Sequence, residues 1–265
     1  MRTYLYAAAA VLASIVGVAA AAETPTPPRT TAGMMGASDS TSLVIAYQAK
    51  PETRAAFRKY LETSGTADLE RWKKAGVYSE YQIMFQQLAG YNDSTDAYVI
   101  LTFPNYLATA RWVEIEKQSP GGLSAEGLKL ASVRHSAFAE GLAHRRVDNS
   151  DRKQEMCEIS QYEIGETPQY RKFVADYPVK LFDNWIKQGN VAEYTIYLGL
   201  HHTGAPWKAM IVLCYRDAKS YSTSAQMKIK SYADLQSDPA WKAQEASRNS
   251  SRKKFMESFY SPIVP

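Results

Sequence analysis

Two rhythms of apolar and polar positions run through this chain, and they recur in the same order twice. Residues 43–49 (LVIAYQA) form a dense β-branched and aromatic run that predicts a strand. After Pro51-Glu52-Thr53, Phe57, Tyr60 and Leu61 fall at i, i+3 and i+4 and predict a helix. Residues 80–87 (EYQIMFQQ) alternate as a half-buried strand does, and residues 97–103 (AYVILTF) predict its returning partner across a polar turn. A helical region is expected from Tyr106 to about Gly141, broken at Ser119-Pro120-Gly121-Gly122, with a short last strand at 142–147. The order then repeats. Residues 157–164 are a strand, 168–187 a helix, and 193–200 with 208–215 a hairpin. Residues 218–255 are helical with a break near Asp238-Pro239, and 259–264 are a closing strand.

The repetition is visible in the residues themselves. FRKYLETSGTADLERWKKAGVYSEYQI (57–83) aligns without a gap on YRKFVADYPVKLFDNWIKQGNVAEYTI (170–196). Arg58, Lys59, Trp72, Lys74, Gly76, Glu80, Tyr81 and Ile83 fall on Arg171, Lys172, Trp185, Lys187, Gly189, Glu193, Tyr194 and Ile196. Gly65 falls on Pro178, so each helix is expected to break or kink at the same place. Gly76 and Gly189 stand where a helix needs a left-handed C-terminal cap. Trp72 and Trp185 read as core anchors rather than stacking platforms.

Strand-helix-strand-strand-helix-strand is the order of a split βαβ, or ferredoxin-like, unit, whose helices cover one sheet face only. Two tandem units, 42–150 and 151–265, would close their bare faces on each other. In this order and its repetition the chain resembles the dimeric α+β barrel superfamily in a fused, pseudo-dimeric form. That resemblance implies an α+β fold with a pseudo-twofold barrel. It does not choose an activity, because the superfamily includes haem-degrading and antibiotic-biosynthesis monooxygenases, chlorite dismutase-like proteins and binding proteins.

Composition adds a compartment. Arg2, an apolar stretch over 4–19 and Ala20-Ala21-Ala22 predict a cleaved signal peptide over 1–22, hence a periplasmic or secreted protein with no membrane span after cleavage. Residues 23–41, rich in Pro, Thr, Gly and Ser, read as a flexible leader. A net charge of +4 over 265 residues is too dilute for a nucleic-acid surface. The two cysteines, Cys157 and Cys214, are expected on neighbouring antiparallel strands. An oxidising compartment makes a disulfide a candidate, and two separate buried thiols remain the alternative.

Parity then nominates a site. If Tyr81, Ile83, Phe85 and Tyr194, Ile196, Leu198 face the helices, the alternate residues line the barrel. These include Glu80, Gln82, Met84, Glu193, Thr195 and Tyr197, with Tyr98 and Met210 from the neighbouring strands. Glu80 and Glu193 are candidate catalytic carboxylates if burial raises their pKa. Gln82, Met84, Tyr98, Thr195, Tyr197 and Met210 are candidate ligand contacts. The competing interpretation pairs each Glu with a nearby cation such as Lys74. His135, His144, His201 and His202 lack metal-site spacing, so no metal is expected, and the cofactor and oligomeric state stay open. The expected function is binding of a small, partly apolar ligand. The alternative is a cofactor-free or haem-dependent oxygenase or isomerase using a Glu with Tyr98 or Tyr197.

Overall fold

A computed structural model describes residues 30–33, 40–89, 95–147, 149–201 and 204–265. The signal-peptide stretch and His202 lie outside these residues. Within the stretch read as a leader, Thr30–Gly33 is a strand, β1, paired with the far end of β5.

The first repeat contains β2 (Thr41–Ala49), α1 (Arg54–Tyr60), α2 (Thr66–Lys74), β3 (Glu80–Gln86), β4 (Ala97–Phe103), α3 (Ala110–Gln118), α4 (Ala125–Leu130) and β5 (Ala131–Val147). The second contains β6 (Met156–Ile164), α5 (Thr167–Asp176), α6 (Pro178–Lys187), β7 (Val191–Gly199), β8 (Ala209–Tyr215), α7 (Ala218–Ser222), α8 (Ser224–Leu235), α9 (Pro239–Ser251) and β9 (Arg252–Ile263). All strand pairs are antiparallel, in the order β5-β2-β4-β3-β9-β6-β8-β7, and β5 pairs β7 to close the ring. The last strand of each repeat makes the closure: β5 leaves β2 for β7, and β9 leaves β6 for β3. The fold is therefore α+β, two ferredoxin-like repeats joined as a pseudo-dimeric barrel.

Three apolar clusters follow from this layering. One lies between sheet and helices in each repeat, built on Phe57, Phe85 and Trp112 in the first and Phe173, Trp185 and Trp241 in the second. The third fills the barrel with Val44, Met84, Tyr98, Ile100, Tyr197, Met210, Val212 and Tyr260. Strand alternation delivers this sorting: Ile83 and Phe85 pack toward helices while Met84 between them points inward.

Two elements differ from their sequence pattern. The expected helix over 106–141 stops at Leu130, and residues 131–147 are a long strand; likewise β9 begins at Arg252 rather than 259. Ala-rich composition made 131–141 look helical, but Ala137 and Ala139 are used as small inward residues beneath the barrel's aromatic side chains. The shared helix break also takes two forms. In the second repeat Tyr177 leaves helical geometry (φ −120, ψ −79) and Pro178 starts a new helix. In the first, the chain stays helical through one π turn, Leu61–Gly65, where Thr66 Oγ1 donates to Leu61 O at 2.6 Å.

Candidate functional site

Glu193 comes after the Gly189 cap and at the start of β7, and the ladder sets its neighbours. Arg146 lies opposite on β5 and Cys214 opposite on β8; Cys214 in turn faces Cys157 on β6. Arg146, Glu193, Cys214 and Cys157 thus form one inward rung crossing four strands. Cys157 and Cys214, with Cα atoms 3.9 Å apart, form a disulfide. Donor atoms of Glu155, Cys157 and Cys214 lie within 4.8 Å of one another. Sulfurs bonded to each other offer no thiolate, so the group does not make a metal site in this state.

Sequence parity alone gave no reason to single out Arg146 or His144. Ala137 and Ala139 point inward at odd positions, whereas a bulge between Gly141 and Ala143 switches the parity of β5. Ala143 then packs toward the helices, and His144 and Arg146 turn into the barrel end. A His and an Arg at i, i+2 within the expected last strand, 142–147, were the available signal, and it becomes informative only once the bulge is known.

Glu193 is almost fully covered, its side chain 5% exposed, and both carboxylate oxygens are occupied. Oε1 accepts from Gln82 Nε2 at 2.9 Å and meets His144 Nε2 at 3.1 Å. Oε2 accepts from Arg146, with Arg152 at 3.7 Å. Arg146 also donates to Glu155 Oε1 at 2.8 Å, where Ser150 donates to the same oxygen at 2.8 Å. Burial by itself would raise the Glu193 pKa. The His144 hydrogen bond and the charges of Arg146, His144 and Arg152 outweigh it and hold the carboxyl at about 2. The expected desolvated base is therefore a permanently ionised anchor, which reverses the direction a general base would need.

Glu80, its equivalent in the first repeat, has the opposite fate. Its side chain is 69% exposed and pairs with Lys73 at 2.8 Å, one residue before the Lys74 considered from sequence. Two cavities, of about 170 and 290 Å³, share Glu80, Tyr81, Gln82, Arg152 and Glu193 as walls. The smaller adds Met84, Glu155 and Cys214, and the larger adds Ile100, Thr102, His144, Thr195 and Tyr197. The structure therefore brings Glu80, Gln82, Met84, Glu193, Thr195 and Tyr197 to one barrel end. Tyr98 and Met210 are fully buried deeper in the interior, and neither borders these cavities. Gln161 donates to Tyr98 Oη at 2.7 Å and Tyr260 packs on its ring, so the middle of the barrel is filled. Burial pushes the Tyr98 hydroxyl up to about 12, and burial with the Glu193 charge raises Tyr197 as well, so neither is disposed to exchange a proton near neutrality.

A haem does not fit these walls. Among the described residues His144 is the one histidine bordering either cavity, and its Nε2 is committed to Glu193. The larger space, about 290 Å³, is at the small end for a drug-sized ligand, well short of a macrocycle. His135 lies elsewhere, half-buried, its pKa lowered to about 4 by desolvation and by Arg134, and His201 meets Tyr106 at 3.3 Å.

No family model matches the chain, and no curated protein matches it. Among solved structures it is similar to a protein designated a candidate monooxygenase from Lactobacillus acidophilus NCFM. The two share 9% identity over 85% of this chain and 94% of that one, with a TM-score of 0.56. It is also similar to a candidate monooxygenase from Fusobacterium nucleatum, at 12% identity over 85% and 93% of the two chains and a TM-score of 0.53. At these identities the likeness is one of fold.

Proposed function

We propose that the protein binds a small, partly apolar molecule with a polar head at the Glu193 end of the barrel. The observation that carries this reading is the pair of cavities meeting at the Gln82–Glu193 hydrogen bond, where both repeats contribute a wall. Ile100, Met84 and Tyr197 offer apolar surface, while Arg152, Thr195 and His144 offer polar contacts. The ionised Glu193 acts as a fixed acceptor that orients Gln82 and His144 instead of reacting. Native mass spectrometry of the protein purified from its own source tests for a retained ligand. Thr102→Trp, which fills the larger cavity, should abolish retention while leaving the circular dichroism unchanged; retention by that variant would remove the site.

A second reading is favoured by one contact. When His144 donates Nε2–H to Glu193, the neutral ring keeps its lone pair on Nδ1, the pairing used to orient a general base. A cofactor-free proton-transfer or oxygenase chemistry of the kind suggested by the two structural neighbours would run through His144, not through Glu80 or Glu193. It predicts product formation from a bound ligand that His144→Gln stops without lowering ligand occupancy. The reading also places the protein outside the cytoplasm, supported by the signal-peptide pattern and by a disulfide suited to an oxidising compartment. Mass determination of the mature N-terminus tests cleavage after Ala22.

A further inference from the structure

The second repeat holds another cavity, of about 300 Å³, between its sheet and its helices. Its walls are aromatic, with Tyr162, Phe182, Trp185, Tyr215 and Tyr232 from β6, α6, β8 and α8. Two of these rings carry buried polar atoms with no partner: Trp185 Nε1 and Tyr215 Oη, in residues that are 4% and 0% exposed. Leaving such a donor unpaired costs about 1–3 kcal/mol, so two of them bordering one cavity call for an acceptor inside it.

Charge specifies the acceptor. Lys228, Arg248, Arg252 and Lys254 border the cavity against a single acid, Glu158. Lys254 is paired with Glu257, and Arg248 with Glu245 and the Tyr232 hydroxyl. Lys228 and Arg252 have no carboxylate within ion-pair reach among the described residues; they lie against rings instead. Lys228 Nζ sits 5.9 Å from the Trp185 ring centre, and Arg252 sits 4.3 Å from Tyr162 and 5.2 Å from Phe173. One guanidinium nitrogen of Arg252, NH1, is itself buried without a partner.

We infer that this cavity is a binding site for a small aromatic carboxylate, separate from the barrel-end site. The ring of the ligand would lie among Tyr162, Phe182 and Tyr232, and its carboxylate would accept from Arg252, Trp185 Nε1 or Tyr215 Oη, with Lys228 adding charge. The volume suits one or two fused rings.

Isothermal titration of the full folded protein with 4-hydroxybenzoate and with its neutral analogue 4-hydroxybenzamide tests the inference. The acid is expected to bind at least about tenfold more tightly than the amide, as loss of a charge-assisted hydrogen bond requires. Arg252→Gln should remove that preference, and Arg252→Lys should retain part of it. Lys228→Gln, on an exposed helix surface, is the variant least able to disturb folding and should weaken the acid several-fold. Equal binding of acid and amide, or no binding of either, overturns the proposal. So does a loss of binding that follows Arg152→Gln instead of Arg252→Gln, because the acid would then occupy the barrel end.

Discussion

The two repeats start from nearly the same pattern and end with different interiors. At equivalent positions after the glycine cap, Glu80 is exposed beside Lys73, whereas Glu193 is enclosed by Arg146, His144 and Gln82. The difference lies in the closing strands. β5 runs far enough along β7 to set Arg146 opposite Glu193, whereas pairing of β9 with β3 stops at Ile263, opposite Ile83 and short of Glu80. A second contrast lies one strand over. The second rung of the β2–β4 ladder is Ser42 and Thr102; the corresponding rung of β6–β8 is the disulfide Cys157–Cys214. A third lies behind the sheet. In the first repeat Tyr47 donates to Gly121 O at 2.5 Å, and Gly122 packs on Trp112 and Trp72, while the second repeat keeps a cavity beside Tyr162 and Trp185. Symmetric backbones have thus been specialised by asymmetric contacts: the enclosed carboxylate, the disulfide and the cavity behind the sheet all stand in the second repeat.

Breaking the disulfide should have the largest effect. It closes a loop of sequence separation 57, and its loss is expected to cost about 2–4 kcal/mol. Chemical denaturation of Cys157→Ser/Cys214→Ser measures this, and Ser42→Ala in the equivalent rung of the first repeat should change stability far less. Glu193→Gln comes next. Its carboxyl is held at about 2 against an ordinary 4.5, a linkage on the order of 3 kcal/mol. Because the folded pKa is the lower one, this stabilisation is fully present above about pH 4.5 and is lost as the pH falls toward 2. Acid unfolding of Glu193→Gln should therefore be flatter across that window. Glu80→Gln, which removes an exposed pair, should shift stability by less than about 0.5 kcal/mol.

The parts of this asymmetry that the sequence revealed are those carried by period. Strand alternation placed Gln82, Met84, Tyr98, Thr195, Tyr197 and Met210 inside the barrel, and the repeat identified the caps at Gly76 and Gly189. What it concealed was set by long-range pairing. Residues 131–141 are Ala-rich, and only the pairing with β2 on one edge and β7 on the other makes them a strand. The bulge at Gly141–Ala143 then decides that His144 and Arg146 face inward. Trp185 and Trp72 look identical in the alignment, yet Trp185 borders a cavity, whereas Trp112 and Gly122 close on Trp72.

Gly122→Ala tests that plug. The glycine has φ +73, and an added Cβ would come within 2.7 Å of Trp112 and 3.2 Å of Trp72. Crowding and the left-handed backbone together should cost about 2–4 kcal/mol, with loss of near-ultraviolet dichroism from the Trp72–Trp112 edge contact.

The smallest difference between the repeats is expected where they still agree. Gly76 and Gly189 have φ +69 and +82, and the N–H of each donates a helix-end hydrogen bond, to Lys73 O and Ile186 O. Space is not the constraint at either: an added Cβ at Gly76 would lie 3.8 Å from Arg111, and none would be touched at Gly189. Alanine at either position should therefore cost only the left-handed penalty, about 1–2 kcal/mol, and the two costs should match closely. Denaturation midpoints of Gly76→Ala and Gly189→Ala compare them directly. A clear difference between the two would mean that the specialisation of the second repeat extends into its helix cap, whereas a match would confine it to the barrel end, the disulfide rung and the cavity behind the sheet.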